Sequence, residues 1–465
     1  MAAPHRLDPT ILREYDIRGV VGKSLTAQDA ETIGHAFGLV VARQINKPER
    51  PQVCIGFDGR LSSPDMEQAL VTGLSTAGVD TLRVGLGPTP MLYFAVHELK
   101  ADGGIMVTGS HNPPDYNGFK FMLGTNPFFG AQIQELGSIA AAPLKPGQEL
   151  GRGAHSLVFG NYVDRLVAAY NVSDGLRVAW DAGNGATGDA LVALTSRLPG
   201  EHILLNEKID GTFPVHHPDP TQPENLAQII ETVAAHKCDA GIAFDGDGDR
   251  IGVVDSTGQI LWGDQLMTIF AAELLSRQPG ATIIADVKAS KTLFDEIERL
   301  GGNPLMWRTG HSLIKQRMAE TGAPLAGEMS GHIFFADRYY GFDDALYAAV
   351  RLLDIVASGS DSLADMRDRL PATVNTPELR FDCADERKFH VVDEVRERLA
   401  QAGANLNDID GVRVTTADGW WLLRASNTQP VLVARCESED AAGLNRLKRA
   451  LVDQLVQSGV EPPEF

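Results

Sequence analysis

The chain has 465 residues, 43% hydrophobic and 22% charged, which excludes a disordered polymer and predicts about three domains, with a fourth allowed. Lys and Arg number 41 against 61 Asp and Glu, a net charge of −20, so a general nucleic-acid binder is excluded and any anionic ligand needs a local cluster of cations. No apolar run reaches the ~18 residues of a membrane span, MAAPHRLDPT lacks a secretion signal, and the four scattered cysteines form no CxxC pair, so a cytoplasmic protein with reduced thiols and no membrane partner is expected.

Short apolar runs alternate with amphipathic stretches, the pattern of strand–helix–strand units around mixed or parallel sheets. VCIGF (53–57) reads as a buried strand. Ser63-Pro64-Asp65 then opens a helix, with Ser63 as cap and Pro64 at the first helical position. TLRVGL (81–86) and GGIMV (103–107) are further strands, followed by a turn-rich segment and a softer stretch near 142–153. The pattern restarts with strands LRVAWD (176–181) and HILLN (202–206). Thr221 to Glu224 has capping-box spacing ahead of a helix whose apolar face is Leu226, Ile229, Ile230 and Val233, and DAGIAF (239–244) is the next strand. A third round runs through helix 264–277, strand TIIADV (282–287), a helix near 290–300, strand PLMW (304–307) and a helix near 312–321. From about 372 the strands RFDC, VRVTT, GWWLLR and PVLVARCE, with helices at 385–402 and 440–457, predict an α+β unit in which Trp420-Trp421 packs with one face exposed. The expected fold is α/β: three similar α/β domains with mixed sheets at 1–155, 156–257 and 258–371, and an α+β domain at 372–465.

Chemistry concentrates where buried strands end. GGIMV runs into Thr108-Gly109-Ser110-His111-Asn112-Pro113, which sets the Ser110 hydroxyl at the sheet's carboxyl edge beside two hydrogen-bonding side chains. The same residue types form ordinary turns, and without G-x-S-x-G there is no hydrolase elbow. DAGIAF runs into Asp245-Gly246-Asp247-Gly248-Asp249-Arg250, three carboxylates at alternate positions that can curl round one hard cation. An EF-hand fails because Arg250 stands where glycine is needed and Ser256 where glutamate is needed. Magnesium completed by a phosphate oxygen fits, with Arg250 holding the anion. Gly327-Glu328-Met329-Ser330-Gly331-His332 offers donors and acceptors for sugar hydroxyls, and Arg424-Ala425-Ser426-Asn427-Thr428-Gln429-Pro430 offers a phosphate cradle, although either is also an ordinary polar loop. Arg18, Lys120, Lys288 and His311 stand near strand ends; each alone reads as a surface group. No P-loop or G-x-G-x-x-G occurs.

TGSHNP, DGDGDR, GEMSGH and RASNTQP, in this order and one per unit, make the chain resemble the α-D-phosphohexomutase superfamily, and within it the bacterial phosphomannomutase/phosphoglucomutase branch. The resemblance covers nearly the whole chain and implies a heart-shaped molecule of four domains around a central cleft. It implies that Ser110 is a phosphoserine and binds magnesium through its phosphate with Asp245, Asp247 and Asp249. Glu328, Ser330 and His332 would hold sugar hydroxyls, and Arg424, Ser426, Asn427 and Thr428 the phosphate that is not reacting. Tyr15, Arg18, His111, Lys288 and His311 would contact substrate, and Lys120, Arg250 and His332 would move protons or balance charge at the reacting oxygen. The implied reaction interconverts hexose 1-phosphate and hexose 6-phosphate through a 1,6-bisphosphate, with glucose 1,6-bisphosphate as activator. Partners are phosphosugars, the chain is a monomer or dimer, and the last domain swings to close the cleft. Met329, Ala425 and Asn427 depart from the phosphoglucosamine mutase pattern and favour mannose and glucose over that alternative, and the intact Ser110 and aspartates disfavour a non-catalytic phosphosugar-binding protein.

Overall fold

The computed structural model describes residues 5–44, 49–427 and 429–463. Four sheets follow one another along the chain, and the overall class is α/β as expected. In the first sheet Gln52–Phe57 lies between Gly103–Val107 and Asp80–Leu86, parallel to both. GGIMV is buried at every position, which is why it reads as a continuous apolar run rather than an alternating one. On its other side pairs Tyr116–Leu123, antiparallel, and beyond that Ile17–Val20.

Tyr116–Leu123 corrects the expectation of a turn-rich segment after residue 107. Its Asn117, Gly118 and Lys120 lower strand propensity, but two neighbouring strands supply pairing on both edges, and tertiary context overrides propensity. The strand's alternation sends Phe119 and Phe121 into the core beside Phe37, and Lys120 to the opposite face. Helix Ala27–Gln44, which the sequence reading left unassigned, packs closely on Ser63–Thr76. The approach is set by glycine: a Cβ on Gly73 would lie 2.0 Å from the Glu31 carbonyl oxygen, and one on Gly34 2.5 Å from that of Leu70.

Two expected caps are absent. Ser63 is the first helical residue, and its hydroxyl donates to Asp58 Oδ1 at 2.6 Å instead of capping. The Thr221 hydroxyl donates to Asp219 Oδ1 at 2.7 Å, and its helix starts as a 3-10 turn, Pro223–Leu226, before Ala227–His236. In both places a neighbouring aspartate captures the hydroxyl, as Asp does in local turns.

In the second sheet Ala240–Phe244 lies parallel to Leu176–Asp181 and forms a hairpin with Ile251–Asp255, so the acidic loop is the tip of a buried hairpin. The third sheet is ordered Asn303–Trp307, Thr282–Asp286, Leu325–Gly327, Ile333–Phe335, which brings residues 286–288, 308–311 and 328–332 to one end. One apolar core runs through these three units, from Phe94 through Trp180 and Phe244 to Phe270 and Leu346. The last unit, an antiparallel sheet around Gly419–Ala425 and Val431–Ser438 with helices Asp385–Gln401 and Ala441–Gln457, has its own core. Neither tryptophan has an exposed face. Trp421 lies inside that core, and Trp420 meets Val287 of the third sheet's unit, with the Arg413 guanidinium 3.6 Å from its ring centroid. The face expected to meet water meets the third unit. No helix among the described residues is long and apolar enough to cross a membrane.

Gly73→Ala is expected to destabilise by about 1–3 kcal/mol, because backbone on a second helix must move, whereas Gly160→Ala, with nothing within 4 Å, is neutral or stabilising; urea titrations of both variants check this. Burial pushes the Cys54 and Cys436 thiols up to about 12. A thiol reagent at pH 8, far below that, should leave both unlabelled in the native protein and label both after denaturation, as peptide mapping would show.

Candidate functional site

Ser110 follows the buried strand Gly103–Val107 in a left-handed conformation (φ 49°) and is 3% exposed. A non-glycine residue held there needs its surroundings to over-determine it. They do so through Arg60, whose side chain is wholly buried and donates to the carbonyl oxygens of Ser110 (2.7 Å), Asn112 (2.6 Å) and Tyr116 (3.0 Å). Asp58 receives Arg60 Nε at 3.2 Å and the Gly109 amide at 3.2 Å. A Cβ on Gly109 would fall 2.4 Å from that guanidinium, so only glycine lets Arg60 reach the loop. The sequence reading missed Asp58 and Arg60. Their signal was available: charged residues directly after the buried run VCIGF.

The Ser110 hydroxyl donates to Asp245 Oδ2 at 3.0 Å and lies 3.2 Å from His111 Nδ1. Asp245 Oδ1 collects the backbone amides of Gly248, Asp249 and Arg250 at 3.0–3.1 Å, which curls the loop on itself. The two loops touch closely, since a Cβ on Gly246 would sit 2.5 Å from the Ser110 carbonyl oxygen. Asp247 Oδ2 accepts from Thr89 at 2.5 Å and from Lys120 Nζ at 2.7 Å, and Asp249 Oδ2 accepts from the same ammonium at 2.5 Å. Asp245, Asp247 and Asp249 are 0% exposed and offer oxygens within 4.8 Å of one another. Burial, then the charges of Asp249 and Asp247, push the Asp245 carboxyl well above its ordinary range. Burial opposes charge on Lys120 too, yet Asp247 and Asp249 raise its ammonium well above the usual range. Asp247 Oδ1 has no hydrogen-bond partner among the described residues. The three buried carboxylates face the Lys120 ammonium, with His332 and Arg250 as the other nearby cations, and their all-oxygen donor set fits a hard divalent cation.

The third unit closes the other wall. Glu328 Oε1 accepts the Gly310 amide at 2.6 Å and Oε2 accepts His332 Nδ1–H at 2.7 Å. Burial would raise the Glu328 carboxyl, but the hydrogen bond and charge of His332 hold it at about 2. Burial likewise opposes a charge on His332, but Asp249 and Glu328 hold its imidazolium up to about 9. Ser330 Oγ is 3.2 Å from His332 Nδ1, and Arg250 Nε is 3.4 Å from Nε2. The His311 ring stacks on His332 at 5.6 Å, and burial drives it well below the ordinary histidine range. Burial, with Arg250 and Arg18 nearby, does the same to His111.

The last unit enters from the side. Arg424 Nε donates to Asp410 Oδ2 at 3.1 Å, and that oxygen also takes the Thr309 amide at 3.0 Å. Asn427 Nδ2 donates to the Tyr15 hydroxyl at 2.7 Å, which in turn donates to the Thr309 carbonyl at 2.8 Å, so first, third and last units meet there. Lys288 Nζ is held 2.8 Å from Glu378 Oε2. Burial would raise that carboxyl, but Lys288 and Arg380 keep it well below the carboxylate range. Ser426 Oγ accepts the Gln429 amide at 3.2 Å, and Arg18 pairs with Asp16 and Asn112. Thr428 lies outside the described residues. The structure therefore gathers the expected residues from all four units. Lys120 and Lys288, at 4% and 5% exposure, are not the surface charges that each suggested alone. Glu378 and Asp410 were missed because their partners are distant in sequence.

Residues 9–143, 160–258 and 262–374 match the families described as phosphoglucomutase/phosphomannomutase, alpha/beta/alpha domains I, II and III, and residues 378–454 the C-terminal domain. The chain is 46% identical over 460 residues to a phosphomannomutase/phosphoglucomutase of Pseudomonas putida, covering 99% of this chain and 98% of that one. A crystal structure of a phosphoglucomutase/phosphomannomutase family protein from Burkholderia thailandensis has 44% identity and a TM-score of 0.92, covering 98% of this chain and all of the other. N-acetylphosphoglucosamine mutase of Aspergillus fumigatus, solved with GlcNAc-6P and magnesium, is 13% identical and shares the fold at a TM-score of 0.60 over 97% of each chain.

Arg60→Ala should cost about 3–5 kcal/mol, since it leaves Asp58 buried without its partner and strips the loop carbonyls. Urea denaturation measures it, and a loss below about 1 kcal/mol, the scale of an exposed pair, would show that the loop stands without this support.

Proposed function

The chain belongs to the phosphoglucomutase/phosphomannomutase family, an isomerase interconverting hexose 1-phosphate and hexose 6-phosphate, and we propose that it works on both mannose and glucose through a phosphoserine at Ser110. The observation that carries the residue assignment is the Ser110 hydroxyl, 3.0 Å from Asp245 in a buried trio of carboxylates. Phospho-Ser110 gives its phosphoryl group to the 6-hydroxyl of a hexose 1-phosphate: the P–Oγ bond breaks, a P–O6 bond forms, and in balance the proton lost by the 6-hydroxyl is gained by Ser110 Oγ. The resulting 1,6-bisphosphate turns over in the cleft, and its 1-phosphoryl group returns to Ser110, which leaves hexose 6-phosphate.

Asp245, Asp247 and Asp249 would hold magnesium, which supplies charge neutralisation at the transferring phosphoryl group. Lys120, Arg250 and His332, the last held between Glu328 and Asp249, move protons or balance charge at the reacting oxygen. Arg424, Ser426, Asn427 and Thr428 grip the phosphate that is not reacting, with Lys288 beside them. Tyr15, Arg18, His111 and His311 complete the wall, and Glu328 and Ser330 hold sugar hydroxyls. A bisphosphate that must bind in two orientations explains why a chain of net charge −20 collects cations in one cleft. We read it as a cytoplasmic enzyme activated by glucose 1,6-bisphosphate.

Phosphorus NMR of mannose 1-phosphate and glucose 1-phosphate together, with magnesium and a trace of glucose 1,6-bisphosphate, tests this. Both 1-phosphate signals should convert to 6-phosphate signals, and Ser110→Ala should abolish the conversion while lowering urea stability by no more than about 1–3 kcal/mol, the scale of one buried hydrogen bond to a carboxylate. Conversion of one sugar alone would sink dual specificity, and full activity of the alanine variant would remove Ser110 from the reaction.

A further inference from the structure

Asp343 has no part in the reaction described above, yet it is 0% exposed at the edge of the cleft. It stands just ahead of helix Ala345–Ser358 and is tied by a β-bridge to Phe334. Its Oδ1 accepts from Lys315 Nζ at 2.8 Å, and that ammonium also lies 4.4 Å from the Tyr93 ring centroid. Its Oδ2 has no hydrogen bond among the described residues. The same is true of Asp249 Oδ1, also 0% exposed, and of His311 Nδ1. A buried carboxylate oxygen without a hydrogen bond is costly; the cation beside Asp249 Oδ1 is the His332 ring at 3.3 Å, and a metal bound between the two carboxylates would take the place of that ring proton.

These atoms converge with His332. Asp249, His332 and Asp343 each offer a ligand atom within 4.8 Å of the other two. His332 Nε2 lies 3.3 Å from Asp249 Oδ1, and His311 Nδ1 lies 3.6 Å from Asp343 Oδ2. Zinc bonds of about 2.1 Å in a tetrahedron set ligand atoms roughly 3.4 Å apart, which matches the spacing of His332 Nε2 and Asp249 Oδ1. The His332 ring is prepared for the role as well. The Glu328 carboxylate can only accept and so holds the Nδ1 proton, which leaves the Nε2 proton, facing Asp249, as the one a metal would replace. A carboxylate holding the remote ring nitrogen is the usual support behind a metal-bound histidine.

We propose that Asp249, His332 and Asp343 form a second cation site, selective for zinc-like divalent metals and distinct from the all-oxygen magnesium site, with His311 beside Asp343 and a fourth coordination position left to solvent. One imidazole and two carboxylates at low coordination number suit zinc or cobalt better than magnesium, which prefers six oxygens. Asp249 belongs to both sites: its Oδ2 faces Lys120 and the trio, and its Oδ1 faces His332. Occupancy would take His332 away from the sugar, and Arg250 Nε, now 3.4 Å from His332 Nε2, would be displaced. The site is therefore inhibitory. The metal site itself stands apart from the mutase reading; only its inhibitory consequence rests on it.

Cobalt chloride titrated into the full-length protein in excess magnesium tests the site without turnover. The expected result is one tight equivalent with the intense visible bands of four-coordinate cobalt, retained in excess magnesium and bleached by zinc chloride. Asp343→Asn should weaken it at least tenfold, and Glu328→Gln by about 10–100-fold through loss of the orienting carboxylate. Cobalt that gives only weak six-coordinate bands and is displaced by magnesium would place all metal at the aspartate trio and overturn the proposal. If a variant fails to fold, the wild-type spectrum and its resistance to magnesium still decide. In turnover, zinc inhibition of the wild type should persist in excess magnesium, and Asp343→Asn should need at least tenfold more zinc; inhibition relieved fully by magnesium in both proteins would also overturn the proposal.

Discussion

Three carboxylates with no exposed surface cannot stand together unless the rest of the protein brings countercharge to them. Taking even one carboxylate out of water costs several kcal/mol, and like charges at short range add to that. The loop 245–250 meets part of the need with its own backbone amides, but the cations come from elsewhere: Lys120 from the first unit and His332 from the third. The acidic hairpin is therefore compatible with burial only in the assembled molecule. The docking of the first three units follows from that condition as much as from their shared apolar core.

The same logic repeats at smaller scale around the cleft. Thr89 reaches Asp247, Ser110 reaches Asp245, Lys288 reaches Glu378, and the Thr309 amide reaches Asp410, each joining one unit to another. The last unit differs in how it is held. It has a separate core and touches the third unit through a small apolar patch, Val287 with Trp420 and Leu422, supported by polar bonds that include Arg413 to the Val287 carbonyl. Polar contacts exchange with water or ligand at small net change in free energy, whereas a shared apolar core does not. If any unit moves as substrate enters, the physical asymmetry points to the last one.

The cleft also joins two kinds of cation chemistry through one residue. Asp249 turns one oxygen toward an ammonium and an all-oxygen trio, and the other toward imidazole. Its neighbours on the two sides differ in softness, so the identity of the metal decides which pocket it fills. Lys120 and Lys315 flank the arrangement on either side, each pinned to a carboxylate, and keep the excess negative charge local.

Runs such as GGIMV and AGIAF are buried at every position, and local hydrophobicity alone marks them as strands. The alternating aspartates of 245–249 and the serine after residue 107 were likewise legible, because a strand end with polar residues is a local pattern. Tyr116–Leu123 was not, since its strand state comes from two neighbours rather than from its own residues. Nor were the partners of charge: Lys120 with Asp247 and Asp249, Lys288 with Glu378, Arg60 with the serine loop, Asp343 with His311. By itself the sequence determined which segments must be buried and which loops carry reactive groups, because hydrophobic period and turn chemistry act over a few neighbouring residues. Only the tertiary structure decided which charge faces which, because Coulomb attraction and desolvation depend on distance through space, and residues a hundred positions apart in the chain meet there within hydrogen-bonding range.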